Sequence, residues 1–231
     1  MCSSDLLLAM WVLTQAPSAL AGGQSVLGRK AQDFSLMDYR GKKTALDDFK
    51  DRKLVVVAFL GVECPLAKMY APRLAELADK YAPQGVAFVG VDSNLQDSIA
   101  ELAAFARDHG VKFPLLKDAG NVVADQMGAA RTPEVFVLDA DRVVRYHGRI
   151  DDQYGFNTGS GYAKSKMTRS DLTAAIDELL AGKTVSVPET KAPGCLIGRA
   201  RQPKEDSPVT YSKQISRILQ SQCVECHRPG E

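Results

Sequence analysis

The chain has 231 residues, 45% hydrophobic and 25% charged, enough apolar content for one sizeable domain with extras or two small ones. Its 29 Lys and Arg nearly cancel its 28 Asp and Glu, and the resulting charge of +1, without a basic stripe, excludes a nucleic-acid surface. No apolar run of about 18 residues follows residue 21, so the body of the chain is expected to lack a membrane-spanning helix.

The first 21 residues read as a signal peptide. LLLAMWVL (6–13) is an apolar stretch too short to span a bilayer, and Ala19-Leu20-Ala21 gives the small-x-small pattern of a cleavage site before Gly22. The competing reading, a first core helix, is broken by Pro17 and Gly22-Gly23. Met1–Leu6 hold no Lys or Arg, only Asp5, and match what the end of a common sequencing adapter encodes. They are expected to be an assembly artefact, so Cys2 gets no role.

Strands and helices then alternate. KLVVVAFLG (53–61) is a continuous β-branched run, the pattern of a strand buried on both faces. The helix expected from Pro65 sets Leu66, Met69, Tyr70, Leu74, Leu77 and Tyr81 on one side at three- and four-residue steps. Pro65 fits the first helical position, whereas Pro72 is expected to kink the helix. GVAFVGVDS (85–93) is a second buried strand, and DSIAELAAFARDHG (97–110) a helix started by Asp97 or Ser98 and stopped by Gly110. FPLLKD (113–118) and a short helix around NVVADQMG (121–128) lead to EVFVLDADRVVRYHGRI (134–150), a hairpin turning at Asp139–Asp141. DDQYGFNTGSGYAKSKMT (151–168) is expected to be a surface loop, with Asp151 and Asp152 in a solvated turn. RSDLTAAIDELLAG (169–182) reads as a capped amphipathic helix. The order β-α-β-α-(β-α)-β-β-α means early parallel crossovers and a late antiparallel hairpin. One domain over 26–185 is followed by a Pro-rich, aperiodic linker over 186–208 and by a new start over 209–231.

Cys64 stands between the first buried strand and Pro65. A thiol there meets the unpaired N–H groups and the positive end of the helix dipole, which favour the thiolate, while Glu63 opposes them. A buried structural cysteine is the alternative. Position 67 holds Ala67, which excludes a local CxxC pair. His109, beside Gly110, reads as a cap, and His147 as a packed or solvent-facing strand residue.

DFSLMDYRGKKTALDDFKDRKLVVVAFLGVECP and RTPEVFVLDADRVVRYHGRI, with this order of elements, resemble the redoxin (AhpC/TSA) type of the thioredoxin-like superfamily over about 33–182. The resemblance implies an α/β fold with a central mixed sheet flanked by helices. It also implies a redox-active Cys64 faced by a cis-proline at Thr132-Pro133. In the peroxidase members a Thr stands three residues before the cysteine and a Pro seven before, whereas this chain has Gly61 and Val57, and the family's peroxide-binding Arg would fall near Pro133. Thiol peroxidase (antioxidant) activity is therefore the weaker alternative. Similar proteins carry a downstream GC-x-I segment, which Gly194-Cys195-Leu196-Ile197 resembles. The resemblance makes Cys195 a candidate resolving cysteine for Cys64, with an unpaired linker cysteine as the other reading.

CVECH (223–227) is the C-x-x-C-H signature of c-type haem attachment, with Cys223 and Cys226 as thioether donors and His227 as axial iron ligand. A disulfide or another metal are the competing readings. YSKQISRILQSQCVECHRPGE resembles the start of a bacterial cytochrome c module, of which the distal ligand is absent, so haem is expected in a longer protein. Together these features point to an exported, periplasmic or cell-envelope thiol–disulfide oxidoreductase. Its partners would be protein or small-molecule thiols and disulfides and an electron-transfer partner. A non-catalytic thioredoxin-fold module of a haem protein is the remaining alternative. Trp11 lies in the leader, so no Trp precedes the cysteine as in many thioredoxins.

Overall fold

A computed structural model describes residues 25–157, 160–199, 206–224 and 226–227. The leader, with Cys2 and Trp11, lies outside them.

The centre is β3 (Leu54–Phe59), with all six residues buried, as its unbroken β-branched sequence requires. β4 (Val86–Asp92) runs parallel to it, Val57 opposite Val89, and β7 (Glu134–Leu138) antiparallel, Val57 opposite Phe136. With β1 (Ser35–Asp38), β2 (Lys43–Ala45), β5 (Leu115–Lys117) and β8 (Val144–Gly148) these form one mixed seven-stranded sheet, ordered β2-β1-β5-β4-β3-β7-β8. A two-residue strand, β6 (Arg131–Thr132), stays outside that sheet just before β7.

Alternation along β3 splits the core in two. Val56 and Ala58 join α1 (Pro65–Tyr81), α2 (Ile99–Asp108) and α4 (Asp171–Leu180) through Leu66, Tyr70, Leu102 and Ile176. Val55, Val57 and Phe59 pack with α3 (Val122–Met127) through Val123 and Met127. Helix α1 continues through Pro72 to Tyr81. Its buried stripe is Leu66, Tyr70, Leu74 and Tyr81, while Met69, expected on that face, is exposed. Helix α2 starts at Ser98, whose hydroxyl accepts from the Glu101 amide while the Glu101 carboxylate accepts from the Ser98 amide. His109 closes it as the C-cap and packs against Phe105. Helix α4 follows Ser170, which makes no capping hydrogen bond.

Three expectations need correction. Residues 151–168 are not simply a surface loop: they contain the hairpin β9 (Tyr154–Asn157) and β10 (Ser160–Ala163). Nor does Asp151 lie in a solvated turn. It is fully buried, accepting from the Tyr70 hydroxyl (2.6 Å), the Gln153 amide (2.8 Å) and the Arg73 guanidinium. Asp152, also buried, pairs with Lys164 (2.7 Å) and with the Thr168 and Arg169 amides. Asp151 ties the start of the hairpin to α1 and Asp152 ties it to the segment that leads into α4, with bonds that a sequence pattern does not display.

The third correction concerns the linker. Residues 188–199 form a strap along the domain. Thr190 pairs with His147 beside β8, Ala192 and Ile197 are buried, and β11 (Cys195–Leu196) pairs with β6. The strap has no amphipathic period because it is held mainly by backbone hydrogen bonds at sheet edges. Further on, a π-helical turn (Tyr211–Ile215) runs into α5 (Ser216–Gln222).

Removing the Asp151 carboxylate takes the charged acceptor from the Tyr70 hydroxyl and Arg73, leaving Tyr70 only the longer contacts to the Asp151 and Tyr154 carbonyls and Arg73 its bond to Gln153. Asp151→Ala is therefore expected to destabilise the domain by about 3 kcal/mol in urea unfolding, with an unchanged m-value.

Candidate active site

The local sequence dictates where Cys64 sits. β3 ends at Phe59, Gly61 to Cys64 make a turn closed by the Cys64 amide on the Gly61 carbonyl (3.2 Å), and Pro65 starts α1. Cys64 is the N-cap residue, but its side chain does not cap the helix. Instead its S–H donates to the Thr132 carbonyl at 2.9 Å. Only 3% of Cys64 is exposed, so the thiol is covered in this conformation.

The Thr132–Pro133 peptide bond is cis. The segment bearing it is held from below by Glu134, which is buried in β7. One oxygen of its carboxylate accepts from the Ala130 and Arg131 amides (2.8 and 2.9 Å), and the other contacts His147 Nε2 at 2.5 Å. Burial pushes the Glu134 pKa up, but the bonds to His147 and to the two amides outweigh it and hold the carboxyl below its usual range. His147 in turn stacks on Phe136.

From the other side comes the strap. β11 pairs antiparallel with β6, Cys195 directly opposite Thr132. Gly194 makes this possible. Its φ is 146°, and a Cβ there would collide with the Thr132 carbonyl, so the close approach requires glycine. Arg131 fixes the strap by donating to the Gly194 carbonyl at 2.7 Å. Cys64 and Cys195 thus flank one peptide unit. Burial first, then the neighbouring Cys64, push the Cys195 thiol up to about 11, with Arg131 opposing. Cys195 therefore stays protonated near neutral pH. Both are free thiols here.

The far side of the cysteine turn carries a polar cluster that the sequence did not announce. Asp97 Oδ2 accepts from the Val62 amide and from Asn94 Nδ2, each at 2.9 Å. Asn94 Oδ1 accepts from the Gly198 amide at 2.8 Å, and the Leu95 amide donates to the Gly198 carbonyl at 2.8 Å. Asn94 also explains Gly61: a Cβ at that position would collide with Asn94 Nδ2. A hydroxyl-bearing side chain at 61, which a peroxide pocket would use, has no room. Val57, where the peroxidase pattern has Pro, is a hydrogen-bonded residue of β3. Beside Gly194 an open groove of about 350 Å³ is lined by Arg131, Arg149, Tyr154, Phe156, Tyr162 and Lys191.

Cys223, Cys226 and His227 are not part of this site. They follow α5 as one turn, the Cys226 and His227 amides both donating to the Cys223 carbonyl (3.2 and 2.9 Å), with Cys226 and His227 exposed. Sequence reasoning missed Glu134, Arg131, Asn94 and Asp97. Only Glu134 left a trace, as a lone carboxylate opening an otherwise apolar strand.

The model of the AhpC/TSA family matches residues 27–147. Thiol-disulfide oxidoreductase ResA from Bacillus thuringiensis (strain Al Hakam) is 31% identical over 115 residues, which is 50% of this chain and 65% of ResA. The chain thus spans just under two thirds of the length of that curated relative. A hypothetical protein, SMc02350 from Sinorhizobium meliloti 1021, superposes with a TM-score of 0.70 at 35% identity, over 78% of this chain and 98% of its own. The thioredoxin domain of thiol-disulfide oxidoreductase BVU-2223 from Bacteroides vulgatus gives 0.51 at 16% identity, over 67% and 97%, a likeness of fold. The cysteine delivered by a buried strand to a helix start, the mixed sheet and the family match agree: this chain has a thioredoxin-like fold and belongs to the AhpC/TSA family.

Proposed function

We propose that the protein is an exported thiol–disulfide oxidoreductase whose redox couple is Cys64 and Cys195. One observation carries this reading: the strap brings Cys195 opposite Thr132, whose carbonyl accepts the Cys64 S–H. Cys64 attacks a substrate disulfide, a mixed disulfide forms, and the first substrate thiolate leaves. Cys195 then gives up its proton and attacks Cys64, the Cys64–Cys195 bond forms and the second substrate thiolate leaves. The substrate disulfide is reduced by two electrons and the cysteine pair is oxidised by two. In the opposite direction the same pair oxidises a dithiol. The similarity to ResA, named a thiol-disulfide oxidoreductase, supports this class. Thr132 and Pro133 line the backbone on which the exchange takes place. Cys64 has 3% exposure, so the strap must lift at Cys195 for a substrate sulfur to reach it.

The blocked position at Gly61, and Pro133 where the family's peroxide-binding Arg would fall, speak against peroxide chemistry despite the family's name. Export is supported by the apolar leader and by the haem-attachment motif, whose thioether chemistry belongs outside the cytoplasm. No helix among the described residues is long and apolar enough to cross a membrane.

The donor set of the C-terminal turn fits c-type haem: two free thiols and an imidazole on one exposed turn. Among the described residues no group of His, Cys, Asp or Glu is clustered to hold a bare metal ion. Cys223 and Cys226 would hold the porphyrin as thioethers and His227 would face the iron. When bound, the haem supplies one-electron transfer.

Three outcomes check these readings. Reduced full chain equilibrated with oxidised glutathione is expected to lose about 2 Da in intact mass, mapped to a Cys64–Cys195 bridge. Cys195→Ser should instead hold a glutathione adduct on Cys64, and an unchanged mass in both would sink the redox couple. Gly194→Ala, strained and pressed against Thr132, is expected to lower the equilibrium yield of the bridge about tenfold or more, a cost of ~1–3 kcal/mol. Expressed alongside a c-type maturation system, the chain is expected to carry haem that resists acid–acetone extraction. Cys223→Ser/Cys226→Ser should abolish it; no covalent haem in the parent would remove the assignment.

A further inference from the structure

Asp92 and Asp97, 1% and 3% exposed, lie behind the cysteine turn and take no part in the exchange just described. Asp92 Oδ1 accepts from Lys117 Nζ at 2.6 Å, and Asp97 Oδ2 from Val62 and Asn94. Their other oxygens, Asp92 Oδ2 and Asp97 Oδ1, are buried without an N–H or O–H partner among the described residues. Lys117 Nζ also donates to the Asn94 carbonyl at 2.5 Å, so both carboxyls belong to one hydrogen-bonded network, and Asp97 is among the groups that raise the Asp92 pKa. Two carboxylates cannot share a hydrogen bond unless a proton lies between them. With one proton, two carboxyls and Lys117 the buried cluster is neutral.

This cluster reaches both segments that carry a cysteine. Val62 lies two residues before Cys64, and its amide ends on Asp97. Asn94 commits its Nδ2 to Asp97 and so turns its Oδ1 to Gly198, three residues after Cys195. Rotation or withdrawal of Asp97 would release the cysteine turn directly and the strap through Asn94.

We propose that Asp92 and Asp97 are positioning residues for the Cys64–Cys195 couple, a carboxyl pair whose shared proton clamps the cysteine turn and the strap together, and whose loss loosens both. The proposal rests on the redox couple only for its purpose; the clamp itself is a property of the two carboxyls and their bonds.

Burial, and then the neighbouring Asp97, raise the Asp92 pKa to about 8, with Lys117 opposing. Other charged or titratable groups packed around the pair are few. Glu101 of α2 faces Asp97 and Lys117. Asp118, at the end of β5, is committed to the Ser93 hydroxyl and to the amides of Val122, Val123 and Ala124. Cys64 lies beyond Val62. Because the folded value is raised, the contribution of the shared proton is complete below the ordinary carboxylate value and is lost as pH rises through about 8. Above it, two like charges share the buried network with Lys117 as their counter-ion.

The test is amide hydrogen exchange at Val62 and Gly198 in the reduced full chain from pH 6 to 9.5, corrected for base catalysis. Protection of both amides in the parent is expected to fall together, by up to about tenfold for each pH unit as pH approaches the Asp92 pKa of about 8, and to level off above it. Asp92→Asn, whose side-chain N–H donates where the protonated carboxyl does, is expected to keep both amides protected across the range. Asp97→Asn offers the same single-donor arrangement should the first variant fold poorly. Asp97→Ala should expose both amides already at pH 7. Parallel losses in the parent and the Asn variants, or a response at only one amide, would overturn the clamp. The glutathione experiment reads the disulfide separately. A chain that forms no Cys64–Cys195 bridge yet shows the linked pH response sinks the redox couple and sustains the clamp, whereas the reverse sinks the clamp alone.

Discussion

The peptide unit at Thr132 is the point on which the site depends. Its carbonyl takes the Cys64 S–H, its strand takes the edge of β11, and its cis bond to Pro133 turns the chain back into β7. A two-residue strand outside the main sheet has little cohesion of its own, and an unpaired strand edge is an open invitation to another chain. Here Glu134 supplies the missing rigidity. A buried carboxylate that accepts two backbone amides and a histidine has no low-energy alternative, because moving it would strand a charge in the interior. The position of Thr132 is therefore fixed from the sheet side, and the edge it presents is filled by the chain's own strap.

That arrangement sets the chemistry. In a CxxC protein two cysteines share one helical turn, and their spacing fixes the couple. Here Ala67 leaves no local partner, and the second thiol is brought from 131 residues away by backbone pairing. The proposed couple is adjustable: whatever docks or lifts the strap changes the effective concentration of Cys195 at Cys64. The strap is held by the β6 pairing, the Arg131 bond to Gly194, the Asn94–Gly198 contacts and Arg199, which pairs with Asp125 and donates to the Ala129 carbonyl at 2.9 Å. Most of these bonds are polar and lie near the surface, so lifting the strap costs much less than disturbing the core.

The reach of sequence reasoning follows from what each part is made of. β3, α1 and the β7–β8 hairpin carry their signals in side chains: a β-branched run, an apolar stripe, a turn with Asp139. Cys64 was legible because Pro65 marks the helix start beside it. The strap was not, since its bonds run between main-chain groups and its residues show no period. Gly194-Cys195 was legible only through family likeness. Its physical reason, the close approach of Gly194 to the Thr132 carbonyl, needs coordinates. Asp151 and Asp152 were misread because a carboxylate pair after a hairpin looks the same in sequence whether it faces water or caps a buried tyrosine. Met69 fell on the exposed side because the buried stripe of α1 is set by Tyr70 and Leu74, and a residue one position before Tyr70 is rotated towards its edge.

The same contrast bears on why a buried carboxyl pair sits behind a thiol site. An apolar filling at 92 and 97 would leave the Val62 amide and the Asn94 amide group without acceptors and Lys117 without its counter-ion, each costly in a buried site. A single carboxylate would satisfy them but could not reach both Lys117 and Val62, which bond to different residues of the pair. Two carboxylates without a proton would satisfy the donors and repel each other. The protonated pair is the arrangement that meets every donor and remains neutral, and its stability therefore depends on pH in a range that thiol exchange itself uses. A site that must hold two distant cysteine segments in register, and yet release one of them to admit a substrate, is served by a tie that is firm when protonated and weak when not.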